Sequence, residues 1–123
     1  MPEKGYVLVV DDEPETLDLV RLTLSTAGFE VEAAESGRDA LQLISERNYD
    51  LVLLDIMMPE LSGYDVLRSL QGRAGLPPII ILTARNQPED RIIGEKLGAT
   101  DFLVKPVARG DLLDVIAKNI AAT

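Results

Sequence analysis

The chain has 123 residues, with 21 acidic and 12 basic side chains, a formal charge of −9, and neither cysteine nor histidine. Its length predicts one domain, residues 1–123, with an ordinary core. The missing residue types exclude disulfides, thiolate and imidazole metal sites, cysteine nucleophiles, His-dependent hydrolysis and a phosphohistidine carrier. The acidic balance argues against direct contact with nucleic acid, which needs a basic footprint, and against an acidic membrane surface.

Tyr6-Val7-Leu8-Val9-Val10 is a continuous apolar run rich in β-branched residues, the pattern of a strand buried on both faces. It is too short for a signal-peptide core, and no run approaches the roughly 18 apolar residues of a membrane span, so the expected location is the cytoplasm. Pro14 then stands where a first helical turn tolerates proline, and Leu17, Val20, Leu24 and Ala27 recur at helical spacing until Gly28 closes the helix. Phe29 to Ala34 alternates, with Phe29, Val31 and Ala33 on one side, which predicts an edge strand with one wetter face. Ser36 is a candidate N-cap for a helix carrying Ala40, Leu41 and Ile44. Leu51 to Leu54 is a second buried strand, followed by a short helix with Val66, Leu67 and Leu70. The loose stretch Gly72 to Pro78 leads into a strand at Ile79-Ile80-Ile81-Leu82. Ile92, Ile93 and Leu97 predict a fourth apolar helical stripe, closed by Gly98; Phe102-Leu103-Val104 is a weaker strand; Leu112, Leu113, Ile116 and Ile120 form the last helix. Five strands alternating with five helices across short loops predict an α/β fold with a parallel sheet, right-handed crossovers and helices on both faces.

In such sheets function gathers at the C-terminal ends of the strands. After the first strand come Asp11, Asp12 and Glu13; after the third, Asp55; after the fourth, Thr83 and Ala84; after the fifth, Lys105 and Pro106. Each alone has an ordinary reading, as an acidic helix start, a turn residue or a strand threonine; together, at separate strand ends, they predict one site. Carboxylates held about 4 Å apart repel by about 4 kcal/mol at an effective dielectric of 20. Lys105 offsets part of that, and a divalent cation offsets the rest. Oxygen donors without His or Cys select magnesium, manganese or calcium over zinc, and magnesium suits an open site that also takes a phosphate. A cation, a carboxylate, a lysine and a hydroxyl are what phosphoryl transfer to an aspartate requires, with Asp55 as nucleophile, Lys105 neutralising phosphoryl oxygens and Thr83 donating to one of them.

Val9-Val10-Asp11-Asp12-Glu13, Leu54-Asp55-Ile56-Met57-Met58-Pro59 with Gly63, Thr83-Ala84 and Lys105-Pro106 resemble the motifs of response regulator receiver domains along essentially the whole chain. The resemblance implies a flavodoxin-like doubly wound sheet in strand order 2-1-3-4-5. It implies that Asp55 accepts a phosphoryl group from a sensor histidine kinase or a phosphotransfer protein. It implies Mg2+, or Mn2+, on Asp12, Asp55 and the backbone carbonyl of Met57, with Asp11 acting through a bound water. Thr83 and Phe102 become the switch pair, and the face of the fourth helix, fifth strand and fifth helix becomes the downstream partner surface. Met57 and Arg85, two residues after the acceptor and after the switch threonine, are expected to shield the phosphoryl group from water and lengthen its lifetime.

The chain also departs from the family pattern. Val107 and Ala108 replace the usual aromatic and cap, and alanine caps poorly, which predicts a late start to the last helix near Asp111. Phe102 lacks the hydroxyl of the commoner tyrosine, which favours an inward, buried ring. Arg91, Glu95 and Asp101 resemble the branch with DNA-binding effectors, but Val115 stands where that branch has an arginine, so the expectation is a monomer or a weak phosphorylation-dependent dimer. A magnesium-dependent phosphohydrolase of haloacid dehalogenase type needs a second Asp where Met57 stands, and a flavodoxin needs a Ser/Thr/Gly-rich loop where Asp11, Asp12 and Glu13 stand. The protein is therefore expected to be a switch rather than a turnover enzyme. The expectation is a receiver domain without an effector domain of its own, and Asn119 to Thr123 offers no linker to decide between a stand-alone regulator and a piece of a longer protein.

Overall fold

A computed structural model describes residues 4–120; the last three residues of the Asn119–Thr123 stretch lie outside them. The elements follow in strict alternation: β1 (Tyr6–Val10), α1 (Pro14–Thr26), β2 (Glu30–Ala34), α2 (Gly37–Glu46), β3 (Leu51–Leu54), α3 (Gly63–Leu70), β4 (Ile79–Thr83), α4 (Pro88–Lys96), β5 (Asp101–Val104) and α5 (Arg109–Ile120). The five strands are parallel and lie in the order β2-β1-β3-β4-β5.

Strand alternation splits the core in two. Val7, Val9, Leu51, Leu53, Ile80 and Leu82 face α1 and α5, where Leu17, Val20, Leu24, Leu112 and Ile116 meet them. Leu8, Val10, Val52, Leu54, Ile79, Ile81 and Phe102 face the other way, onto α2 and α3. Each fully buried aliphatic side chain stabilises the fold by roughly 1.5–3 kcal/mol, and the three inner strands are made of little else. The edge strand β2 is wetter, as its alternation implies. Its Glu32 is nevertheless clasped by Tyr6, Tyr49 and Arg47, with Arg47 at 2.6 Å, which ties the sheet edge to the end of α2.

Two expectations about the helices are corrected. The apolar stripe of α4 is not its buried side: Ile92 and Ile93 are exposed, whereas Asp90 and Gly94 are buried. Gly94 lies so close to the sheet that an added Cβ would stand 2.5 Å from Ile81 Cδ1, and Asp90 faces inward because it has polar partners there. The last helix does not start late. It begins at Arg109, with the carbonyl of Ala108 accepting from Leu112 N–H at 3.0 Å. Arg109 donates to the Thr23 carbonyl and to Thr26 Oγ1 on α1, and Val107 packs against the same cluster. Anchoring to α1 replaces the missing cap.

Candidate functional site

The strand ends are aligned by register, so residues distant in sequence become neighbours. Val10 pairs with Leu54, and Thr83 with Val104, which sets Asp11 beside Asp55 and Lys105 just beyond Thr83. One further ladder bond fixes each of them: Asp11 N–H donates to the Ala34 carbonyl, Asp55 N–H to the Val10 carbonyl and Lys105 N–H to the Thr83 carbonyl. The acceptor loop is pinned as tightly. Gly63 N–H donates to the Ile56 carbonyl at 2.9 Å, and a Cβ on Gly63 would lie 2.3 Å from the carbonyl oxygen of Asp55, so only glycine lets α3 start there. A capping box between Ser62 and Asp65 holds that helix start, a signal readable in the Ser-x-x-Asp spacing and not used in the sequence reading.

Lys105 is the hub. Its Nζ donates to Asp11 Oδ2 at 2.6 Å, to Asp55 Oδ2 at 3.3 Å and to Glu13 Oε1 at 3.3 Å. Asp11 and Asp55 are buried, and Glu13 is exposed. The remaining oxygens are held by backbone: Glu13 N–H donates to Asp11 Oδ1, and Met57 N–H to Asp55 Oδ1. Burial pushes the Asp11 carboxyl above its ordinary range, and the negative charge of Asp55 adds to that, against the pull of Lys105. Burial works against the Lys105 charge, yet the hydrogen bond to Asp11 and the charges of Asp55 and Asp11 outweigh it and raise the ammonium. Asp11, Asp12 and Asp55 each present a carboxylate oxygen, all within 4.8 Å of one another, with Asp12 exposed at the mouth. A single ammonium cannot neutralise three carboxylates, and an all-oxygen donor set of this size fits a hard divalent cation.

Thr83 is fully buried, and its Oγ1 accepts from Arg85 N–H at 3.3 Å. Phe102 is buried, and the Arg91 guanidinium lies 4.9 Å from its ring centre. The side chain of Met57 is exposed beside Asp55. Arg85 is exposed but tethered: its Nε donates to Asp90 Oδ2 at 2.8 Å. Glu13 as a partner of Lys105, and Asp90 and Tyr64 as partners around Arg85, were absent from the sequence reading. Only the five-residue step from Arg85 to Asp90 across Pro88 hints at the latter.

A family model described as a response regulator receiver domain matches residues 7–117. Response regulator MprA of Mycolicibacterium vanbaalenii is 44% identical over 107 residues, which is 87% of this chain and 46% of that protein. Transcriptional regulatory protein CusR of Escherichia coli K12 is 41% identical over 107 residues, 87% of this chain and 47% of that protein. The chain thus spans about half the length of these curated relatives. Among solved structures, chemotaxis protein CheY4 of Vibrio cholerae superposes with a TM-score of 0.86 at 34% identity, covering 94% of this chain and 98% of that one. The receiver domain of Francisella response regulator 1452 superposes with a TM-score of 0.90 at 32% identity, covering 96% and 98%.

Proposed function

The chain belongs to the response regulator receiver domain family, and on that premise we propose that it is a phosphorylation switch in which Asp55 accepts a phosphoryl group from a histidine kinase or histidine phosphotransfer protein. The observation that carries this reading is Lys105 Nζ bridging Asp11 and Asp55 at the rim of the sheet. In the transfer, an Asp55 carboxylate oxygen forms the new bond to phosphorus while the phosphorus–nitrogen bond to the donor imidazole breaks. Lys105 balances charge on the phosphoryl oxygens. Met57 N–H orients the Asp55 carboxylate. Asp11, Asp12, Asp55 and the Met57 carbonyl are the residues to hold Mg2+ or Mn2+, Asp11 through a water; the bound cation supplies the remaining positive charge against the phosphoryl oxygens. The test is uptake of one phosphoryl mass from a small donor, and its loss in Asp55→Asn.

Receiver domains act as signalling switches, and Thr83 and Phe102 are the proposed moving parts here. Thr83 turns its hydroxyl toward the phosphoryl oxygen and leaves the contact with Arg85 N–H; Phe102 takes up the released space and changes the α4-β5-α5 face, where a downstream protein binds. Thr83→Ala is expected to be phosphorylated normally and to lose the phosphorylation-dependent gain in partner affinity, about tenfold or more. Equal gains in Thr83→Ala and wild type, measured by titration with the partner, would rule the threonine out. Lys118 pairs with Asp101 across the same face at 3.8 Å, so a weak dimer there competes with an internal contact. Among the described residues no helix is long and apolar enough to cross a membrane, and the reading is of a protein working in the cytoplasm. One relative of about twice its length, CusR, is a transcriptional regulatory protein; any DNA contact of a longer protein would then belong to another domain and not to this acidic one.

The lifetime of the phosphorylated form rests on Met57 and Arg85. The apolar, exposed Met57 crowds the approach of water to Asp55 and offers it no hydrogen bond. Met57→Asn, or Arg85 changed to a small residue, is expected to speed loss of the phosphoryl label by about tenfold, a barrier change of about 1.4 kcal/mol. One common decay rate for wild type and both variants would refute the shielding.

A further inference from the structure

Asp90 is 1% exposed, in the first turn of α4, yet it is fully partnered. Arg85 Nε donates to its Oδ2 at 2.8 Å, and the Tyr64 hydroxyl donates to its Oδ1 at 2.6 Å. Burial disfavours the Asp90 charge, but these two bonds and the Arg85 charge outweigh it and hold the carboxyl below its ordinary range. Both arms of this network begin at the acceptor site. Tyr64 follows Gly63, which packs on the Asp55 carbonyl; Arg85 lies two residues after Thr83 and donates its own N–H to Thr83 Oγ1. The Arg85 side chain is 51% exposed, so it is tethered through Nε while the rest of its fork is free. A phosphoryl group brings nearly two negative charges and three acceptor oxygens, which suit a guanidinium fork better than one carboxylate oxygen does.

Resting on the reading of Asp55 as acceptor, we propose that phosphorylated Asp55 and Asp90 compete for Arg85, that Asp90 holds the guanidinium aside at rest, and that Tyr64 moderates this hold by sharing the carboxylate; both are positioning residues that set the phosphoryl lifetime. When Arg85 moves across, Asp90 is left buried with no positive partner, only the neutral Tyr64 hydroxyl and the Gln87 backbone, a costly state for a carboxylate. The first turn of α4 opens to rehydrate it. Phosphorylation thereby reaches α4, with its exposed Ile92 and Ile93, by a route separate from Thr83 and Phe102.

The test is the time course of label loss from Asp55 in wild type, Asp90→Asn, Tyr64→Phe, Arg85→Ala and the Arg85→Ala/Asp90→Asn double variant, with the Arg85 Nε–H resonance followed by NMR. Asp90→Asn frees Arg85 and is expected to slow decay about threefold. Tyr64→Phe leaves Asp90 leaning harder on Arg85 and is expected to speed decay, so a folding failure of one variant leaves the opposite sign to be read in the other. Arg85→Ala is expected to decay fast, and the double variant at the same rate as Arg85→Ala, because Asp90 acts only through the guanidinium. In wild type the Arg85 resonance moves on phosphorylation. A static resonance, or an Asp90→Asn effect of equal size without Arg85, overturns the exchange while leaving Asp55 as acceptor. Label that persists in Asp55→Asn overturns the acceptor reading and the exchange with it.

Discussion

Asp55→Asn is expected to take phosphoryl uptake from one group per chain to none, with the fold intact. An amide oxygen is a far weaker nucleophile than a carboxylate, and the variant cannot form the acyl phosphate. The substitution is nearly isosteric, so Met57 N–H keeps its acceptor and Gly63 keeps its seat on the Asp55 backbone. It also removes one of the two buried carboxylates that share Lys105, and Lys105 retains Asp11 and Glu13 as partners. Thermal stability without added metal should therefore be unchanged or raised, which separates a lost nucleophile from a lost fold. Intact-mass measurement after incubation with a small acyl phosphate or phosphoramidate, beside a melting curve, reads both. Labelling that survives in this variant would put the nucleophile elsewhere.

Magnesium is expected to raise the melting temperature by about 10 °C at 100 times its dissociation constant, from a gain of about 2.7 kcal/mol for one site. The source is the like charge gathered at Asp11, Asp12 and Asp55, which Lys105 only partly offsets. Asp12→Ala keeps the buried Lys105 contacts and removes the exposed donor, so it should lose most of the gain. The gain should also shrink in acid. The folded Asp11 carboxyl sits above its unfolded value because of burial and the neighbouring Asp55 charge, so the folded state binds that proton more tightly. As pH falls through the raised value, protonation itself relieves the repulsion in the metal-free protein and takes a ligand from the cation. Both effects narrow the difference that magnesium makes. Equal shifts in wild type and Asp12→Ala would remove Asp12 from the site.

Strands, helices and the rim on which the site lies were legible because they depend on local chemistry. The runs Tyr6–Val10, Leu51–Leu54 and Ile79–Leu82 are apolar on both faces, and their alternation with helical stripes points to a parallel sheet covered on both sides; the polar residue that ends each of them marks the same edge. That punctuation singled out Asp11, Asp55, Thr83 and Lys105 as candidates, and strand register sets them at one rim. The start of α5 and the buried side of α4 were misread for one reason. The missing cap at Ala108 and the apolar pair Ile92-Ile93 are local signals, and both were overridden by contacts with residues far along the chain: Arg109 with Thr23 and Thr26, Asp90 with Tyr64. Whether a charged side chain points in or out depends on which partners the tertiary fold brings within about 3 Å. The sequence by itself therefore determined which groups could do chemistry and at which edge of the sheet. Only the packed structure decided how they are shared: Lys105 among three carboxylates, and Arg85 held by Asp90 instead of lying free.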